Sequence, residues 1–328
     1  MRAVRWREWS ASKIPFVWIA CVAAALTSPL TDVEIVRRAA GVILFTCLCA
    51  AFGHVANDFA DRDCDEAAGK RGPAGRLTKV RATIILLLLA CAALTCLVLL
   101  AASRAAVWAG AVTVFVAAAY SLPPLRLKVR GAAGVWIAAA AQRTLPMFVA
   151  FIAIAPLNAA AWLLLAAAEL AGTRWILVHQ MLDADNDRKS GVATWVTVVG
   201  EERAASVLRN VVFPFELAFV MLAVLFEARQ TPAMWWVALW ALLGSGAWVW
   251  QCRGVQQPYS FDGYARQPLT GFYQVLWPLG LSIVLTFTRP ALWFVAPAFI
   301  AWEHRYIAHR IVEWLRILRR QQREISPA

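Results

Sequence analysis

The feature that most constrains this chain is a succession of long stretches almost free of charge. They run at approximately 14–30, 37–56, 81–102, 105–122, 134–155, 158–180, 204–226, 233–251, 271–288 and 290–302. An apolar run of roughly 18 residues or more is long enough to span a bilayer. Hydrophobic residues make up 61% of the 328 positions and charged residues only 16%. A soluble domain is about 45–50% apolar and about 25% charged, so one water-facing core cannot absorb the surplus. The expectation is a single polytopic all-α membrane domain over 1–303, followed by a basic amphipathic tail over 304–328. The last run is either a half-span or a helix that continues into the tail. The basic start, Met1 to Lys13, leads into an apolar run with no small-residue cleavage site, which predicts a retained first helix.

The net charge of +12 does not point to nucleic acid, because the cations lie between the apolar runs in alternate loops. With the N-terminus cytoplasmic, the inner side collects Arg2, Arg5, Arg7 and Lys13, then the cations of 62–81, 126–130, 188–203 and 253–266. The outer side holds Arg37, Arg38, Arg104, Arg229 and Arg289. That asymmetry sets the orientation, and a bacterial inner (plasma) membrane is the expected location. If all ten segments cross, the arginines of the tail are also inside. If nine cross, the tail is an exception and reads as an interfacial helix anchored by Trp302, Tyr306 and Trp314. Of seven cysteines, Cys21, Cys47, Cys49, Cys91 and Cys96 lie in or beside apolar runs. No CxxC pair exists, which argues against a zinc site or disulfide framework.

Two acidic clusters break the pattern. The first is Asn57-Asp58-Phe59-Ala60-Asp61-Arg62-Asp63-Cys64-Asp65. On a continuing helix, Asn57, Asp61 and Asp65 drift by only about 40° per step and share a face. The second is Asp183-Ala184-Asp185-Asn186-Asp187, where Asp183 and Asp187 share a face in the same way. Four crossings separate the clusters, and an even number returns the chain to the same side, here the cytoplasmic one. Clustered carboxylates repel and need water or a cation. Oxygen ligands select a hard cation, and Mg²⁺ completes its shell with water and substrate phosphate. Solvated loop acids are the plain alternative. A calcium loop fails in detail, because Arg188 or Glu66 stands where the turn glycine belongs, and Thr194 or Gly72 where the closing glutamate belongs.

These motifs resemble those of the UbiA superfamily of intramembrane prenyltransferases. Asn57, Asp58, Asp61 and Asp65 match its NDxxDxxxD motif. Asp183 and Asp187 match DxxxD, with Gly191 and Thr194 in its GxxT extension. Tyr120-Ser121-Leu122-Pro123-Pro124-Leu125-Arg126-Leu127-Lys128 resembles its YSxPxRxK segment, and Lys70 to Arg76 a diverged RPxxSGR loop. The resemblance implies about nine transmembrane helices around a central lipid-accessible cavity. It implies an isoprenyl diphosphate donor and a lipophilic or aromatic acceptor, with membrane lipid around them. Mg²⁺ would be held by Asn57, Asp58, Asp61, Asp65, Asp183 and Asp187, with Asp61, Asp65, Asp183 and Asp187 central to the chemistry. Arg62, Lys128, Arg126, Tyr120, Arg76 and Lys13 would meet the diphosphate. Members that prenylate 4-hydroxybenzoate or haem carry an RTxxRP-type sequence where this chain has Gly69, Lys70 and Arg71, so the acceptor stays open. A related transferase with a phosphoribosyl-type diphosphate donor would need the same two motifs. A non-enzymatic transporter with acidic gates would place its broken helices at mid-bilayer, whereas these acids stand at segment ends.

Other residues interrupt the apolar runs. Arg143 and Gln142 sit mid-segment, where an ionisable group marks a cavity. Glu169 lies within the next run, and Arg174 stands close enough to its cytoplasmic end to snorkel. His54 and His179 each precede an acidic motif by one turn; a hydrogen-bonded structural role is the first expectation for both. Membrane-interface anchoring is the default for most tryptophans, with cation–π stabilisation of a carbocation the alternative for Trp235, Trp236 and Trp240.

Overall fold

A computed structural model describes residues 6–67, 74–189, 191–236, 239 and 269–325. The described residues are helical and contain no strand. They form two compact units, residues 1–226 and 227–328.

Short polar residues start the helices of the first unit. Thr31 opens α2 (Asp32–Ala60) with a reciprocal capping box to Glu34. Thr78 caps α4 (Lys79–Cys96) and Ser103 caps α5 (Arg104–Ser121). Each side-chain oxygen takes up a backbone N–H that the first turn leaves without an intrahelical acceptor. α1 (Trp6–Thr27) precedes them, and the six-residue α3 (Arg62–Ala67) follows α2. The next span is α6 (Gly131–Ala139), a π-helical turn at Ala140–Thr144, and α7 (Leu145–Ile154). The long α8 (Ala159–Lys189) begins where Asn158 Oδ1 accepts from Ala161 N–H at 2.8 Å. The short α9 (Trp195–Val199) and α10 (Glu201–Val207) lead to α11 (Phe213–Gln230).

Seven described helical segments are long and apolar enough to cross a membrane: 9–27, 32–60, 79–101, 104–121, 131–154, 159–189 and 201–229. They coincide with the first seven apolar runs. The eighth, 233–251, lies almost wholly outside the described residues, and the ninth is the shorter apolar helix 272–288. The protein is thus an integral, multi-pass, all-α membrane protein. Lipid-facing positions carry large apolar groups, among them Leu87, Leu88, Leu99, Trp108 and Phe115, all exposed. Helices approach closely at small residues; a Cβ on Gly172 of α8 would stand 2.7 Å from the Cβ of Ala139 on α6.

Length places the acidic motifs. α2 has 29 residues and α8 has 31, hence roughly 43 and 46 Å at 1.5 Å per residue. The hydrocarbon core is about 30 Å thick. Both helices are therefore longer than that core is thick, and the acidic turns occupy their C-terminal ends. At the other end of α2, Arg38 Nη1 donates to Ala153 O of α7 at 2.8 Å, a cation on a helix C-terminus.

Arg174 does not snorkel. It is 1% exposed and makes a two-point ion pair with Glu216 of α11, at 2.7 and 2.9 Å. The guanidinium fork matches the carboxylate plane, so the pair satisfies itself away from water.

The second unit contains a π-helical turn at Phe272–Leu276, α12 (Trp277–Thr288) and α13 (Val295–Ile325). Phe272 stacks on Trp277 with centroids 4.8 Å apart, and the Tyr306 hydroxyl donates to Gln274 Oε1. A 3₁₀ turn at Pro290–Leu292 opens the last apolar run, and α13 carries the rest of that run on into the tail. Trp235 and Trp236 are exposed, as interface anchors are; Trp240 lies outside the described residues.

Candidate active site

The first motif is held between α2 and the segment after α5. α2 ends at Ala60, and Asp61 is its cap, with φ −95° and ψ −1°. The helix is therefore interrupted at Asp61 instead of running on through the motif. Asp61 keeps a right-handed conformation, and its N–H still reaches Asn57 O at 3.0 Å, so the Asn57–Asp61 face survives the break. The side chain of Asp65, on α3, lies outside the described residues. Asp58 is buried.

Two cations meet this face. Lys128 Nζ donates to Asn57 Oδ1 at 3.1 Å and also to Asp61 Oδ2. Arg126 Nη2 donates to Asp61 Oδ1 at 3.1 Å, and Ser121 Oγ to Asn57 Oδ1 at 3.4 Å. The turn that delivers them contains a cis Pro123–Pro124 bond and a left-handed Arg126, φ +38° and ψ +55°. A 3₁₀ turn over Leu127–Val129 then lies against α6. Gly134 permits this, since a Cβ there would stand 2.6 Å from Leu127 O.

The second motif lies on the last turns of α8. Asp183 Oδ2 is 3.4 Å from His179 Nε2, and Asp185 pairs with Arg188 at 2.6 Å. Arg188 also reaches Glu201 at 2.5 Å. Gly191 takes φ +68°, the left-handed conformation that closes a helix. Thr194 caps α9 by accepting from Thr197 N–H at 3.4 Å. The GxxT extension thus ends one helix and starts the next.

Tyr120 lies at the end of α5. It is within electrostatic reach of both Asp61 and Asp187. Lys13 comes from α1 and donates to His54 Nε2 at 3.3 Å, one turn before Asn57. Arg62 turns outward, paired with Asp63 at 3.1 Å and over the Phe59 ring. Arg76 is exposed, on a 3₁₀ turn over Ala74–Arg76 that packs on α2. Lys70 to Pro73 lie outside the described residues.

No group of three or more His, Cys, Asp or Glu side chains among the described residues converges to hold a metal alone. The donor chemistry nonetheless fits a hard cation. Asn57 Oδ1 and Asp61 Oδ2 already converge on one positive centre, the Lys128 ammonium. All the motif side chains offer oxygen, as Mg²⁺ requires.

Residue reading missed Ser121 as a partner of Asn57 and Glu216 as the partner of Arg174. It also left Glu169 unassigned; its Oε2 accepts from Thr144 Oγ1 at 2.5 Å. An acid and a base at fitting depths in two apolar runs were the available signal for Arg174 and Glu216.

Fold and site together define a polytopic helical membrane protein with paired acidic motifs on helix ends. The model of the UbiA prenyltransferase family matches residues 14–267, and the chain belongs to that family. A UbiA homologue from Archaeoglobus fulgidus bound to DMAPP and Mg²⁺ is 16% identical, with TM-score 0.63, covering 87% of this chain and 98% of that one. The same homologue bound to GPP and Mg²⁺ gives 16% identity and TM-score 0.61, covering 94% and 98%. An apo UbiA homologue from Aeropyrum pernix K1 gives 16% and 0.59, covering 85% and 98%. At these identities the likeness is one of fold. No curated protein matches the chain.

Proposed function

We propose that this protein transfers a prenyl group from an isoprenyl diphosphate to a lipophilic or aromatic acceptor within the membrane. The observation that carries the reading is the meeting of Lys128 and Arg126 on the Asn57–Asp61 face, with Tyr120 within electrostatic reach of Asp61 and Asp187. Family membership and the Mg²⁺- and prenyl-diphosphate-bound homologues support it.

Asn57, Asp58, Asp61, Asp65, Asp183 and Asp187 would hold Mg²⁺. When bound, the metal supplies Lewis acidity and a template for the diphosphate. Lys128 and Arg126 place fixed positive charge where the leaving group gains negative charge. Tyr120 borders the same place with a hydroxyl able to donate. Lys13, Arg62 and Arg76 are further diphosphate partners in this reading, with Arg62 leaving its partly exposed pair with Asp63 and Arg76 swinging inward from an exposed position. The apolar helix walls keep water from the electrophilic carbon. The acceptor's carbon or oxygen forms the new bond to that carbon as the bond to diphosphate breaks. The electron pair leaves with the diphosphate, and the acceptor's proton passes to solvent or substrate oxygen.

Purified protein incubated with Mg²⁺, a panel of prenyl diphosphates and a panel of acceptors should yield a prenylated product by mass spectrometry. Product that forms equally in excess EDTA would count against the metal, and no product from any pair would count against the reaction. The reading places both motifs on the cytoplasmic side of a bacterial inner membrane. In a Cys-free background, Ala193→Cys should resist an impermeant thiol reagent added to intact cells; labelling from outside would reverse the orientation.

A further inference from the structure

The last helix carries a charge pattern that the proposed reaction does not use. α13 turns back along α12, and its Tyr306 hydroxyl reaches Gln274 on the π-helical turn before α12. The two helices run side by side up to that level. α13 then continues through residues 307–325, roughly 28 Å at 1.5 Å per residue.

One side of α13 is occupied. Phe299, Glu303 and Tyr306 recur at intervals of four and three; the first two are buried and the third holds Gln274. A second stripe lies about 100° further round the helix. In helical register its members, Ile307, Ile311, Trp314, Leu315 and Leu318, fall within an arc of about 100°. Gln274 stands level with the start of this stripe, so α12 does not run beside the rest of it, and Ile311 is 48% exposed. Arg305, Arg316, Arg320 and Arg323 take the opposite side of the register.

Charge decides what covers the stripe. Residues 304–325 hold six arginines against two glutamates. A second copy of the helix would set like charge beside like charge. An apolar stripe with tryptophan, backed by arginines, is the composition of a helix that lies in a bilayer interface. Its excess of positive charge selects an anionic surface over a zwitterionic one.

We propose that α13 beyond Tyr306 is a docking segment for anionic phospholipid. It lies along the bilayer surface, with the stripe that Ile307 opens against the acyl boundary and its arginines among the phosphodiester groups, where guanidinium makes charge-assisted hydrogen bonds. The segment thereby ties the C-terminal unit to bilayer rich in acidic lipid. This contact is separate from the transferase reading and draws on none of its residues.

The test is hydrogen–deuterium exchange of the backbone amides of 307–325 in the full-length protein, held one copy per nanodisc. Discs of phosphatidylcholine alone are compared with discs that also contain phosphatidylglycerol. Exchange should be at least about tenfold slower in the anionic discs, since several arginines each gain from the surface potential. Added salt should reduce the difference, because it screens that potential. A variant combining Arg316→Gln, Arg319→Gln, Arg320→Gln and Arg323→Gln should lose the difference, with exchange in α2 and α8 unchanged as the check that it folds. Wild-type protein that exchanges equally in both discs overturns the proposal without any variant. So does slow exchange that appears only in discs holding two copies and ignores lipid charge, which would assign the stripe to self-association. A folded quadruple variant that keeps the full lipid difference overturns the role of the arginines.

Discussion

The two acidic motifs stand on the ends of similarly long helices, yet their carboxylates are held differently. Asp61 is 19% exposed and gripped by Lys128 and Arg126, more than sixty residues away in the chain. Asp183 is 39% exposed and meets His179, one turn back on its own helix. Asp185 meets Arg188, three residues on. The first motif comes with a countercharge delivered by a separate loop; at the second, Asp183 and Asp185 meet partners on their own helix. In the proposed reading, a divalent cation would compete with an ammonium at the first motif and only with exposed local partners at Asp183. On that reading, the Tyr120–Lys128 segment is the element that sets this competition, since it carries both cations that hold Asp61.

The largest expected effect removes either half of the site. Asp61→Ala and Asp187→Ala should each cut turnover by at least about a thousandfold, the range for losing a principal electrostatic stabiliser. Both should still fold in detergent. Near-normal turnover by Asp187→Ala would leave the two motifs unequal in chemistry as well as in surroundings, and would remove the second from the site.

An intermediate effect sharpens the asymmetry. Lys128→Met removes the ammonium shared by Asn57 and Asp61. Turnover should fall about a hundredfold, because positive charge at the leaving group is lost. The Mg²⁺ concentration for half-maximal rate should fall as well, since two oxygens no longer serve an internal cation. Arg188→Gln is the matching change at the second motif. Its partners are about half exposed or more, and such surface pairs contribute about 0–1 kcal/mol, so rate and Mg²⁺ requirement should move less than about twofold. A Mg²⁺ requirement that rises in Lys128→Met would contradict the competition.

Much of the fold was legible because membrane insertion is written locally. An apolar run carries its own signal, and the seven described spans lie where the runs lie. The acidic spacing placed Asn57 and Asp61 on one face, and that face holds although the helix breaks at Asp61. What stayed hidden was who pairs with whom. Lys128 and Arg126 could serve as topology signals, and their place in the tyrosine–proline segment favoured diphosphate contact, but only the turn after α5 shows them aimed at Asp61. Arg174 looked like a snorkelling cation because its partner, Glu216, is forty-two residues away. Arg62 stood inside the motif yet pairs with its neighbour Asp63. Pairing of charges across helices depends on packing, which local pattern does not record.

The smallest expected effect concerns how the first motif's countercharge is delivered. Arg126 adopts a left-handed backbone, φ +38°, which costs a residue with a Cβ about 1–3 kcal/mol. Glycine adopts that conformation freely but gives up about 0.5–1 kcal/mol through the entropy of the unfolded chain. The Arg126–Asp61 pair is itself partly exposed, 35% and 19%, so its loss should cost about 1 kcal/mol or less. Arg126→Gly and Arg126→Ala should therefore lose turnover alike, about tenfold, because both remove the second cation from Asp61. Their stabilities should differ. Arg126→Gly should melt at or slightly above the wild-type temperature, and Arg126→Ala below it, with a gap on the order of 1 kcal/mol. Equal melting temperatures would mean that the turn carries no backbone cost. Lys128 would then be aimed at Asp61 by the packing of Leu127–Val129 on Gly134 alone, and Gly134→Ala, whose added Cβ meets Leu127 O at 2.6 Å, should become the variant that disengages Lys128 from the first motif.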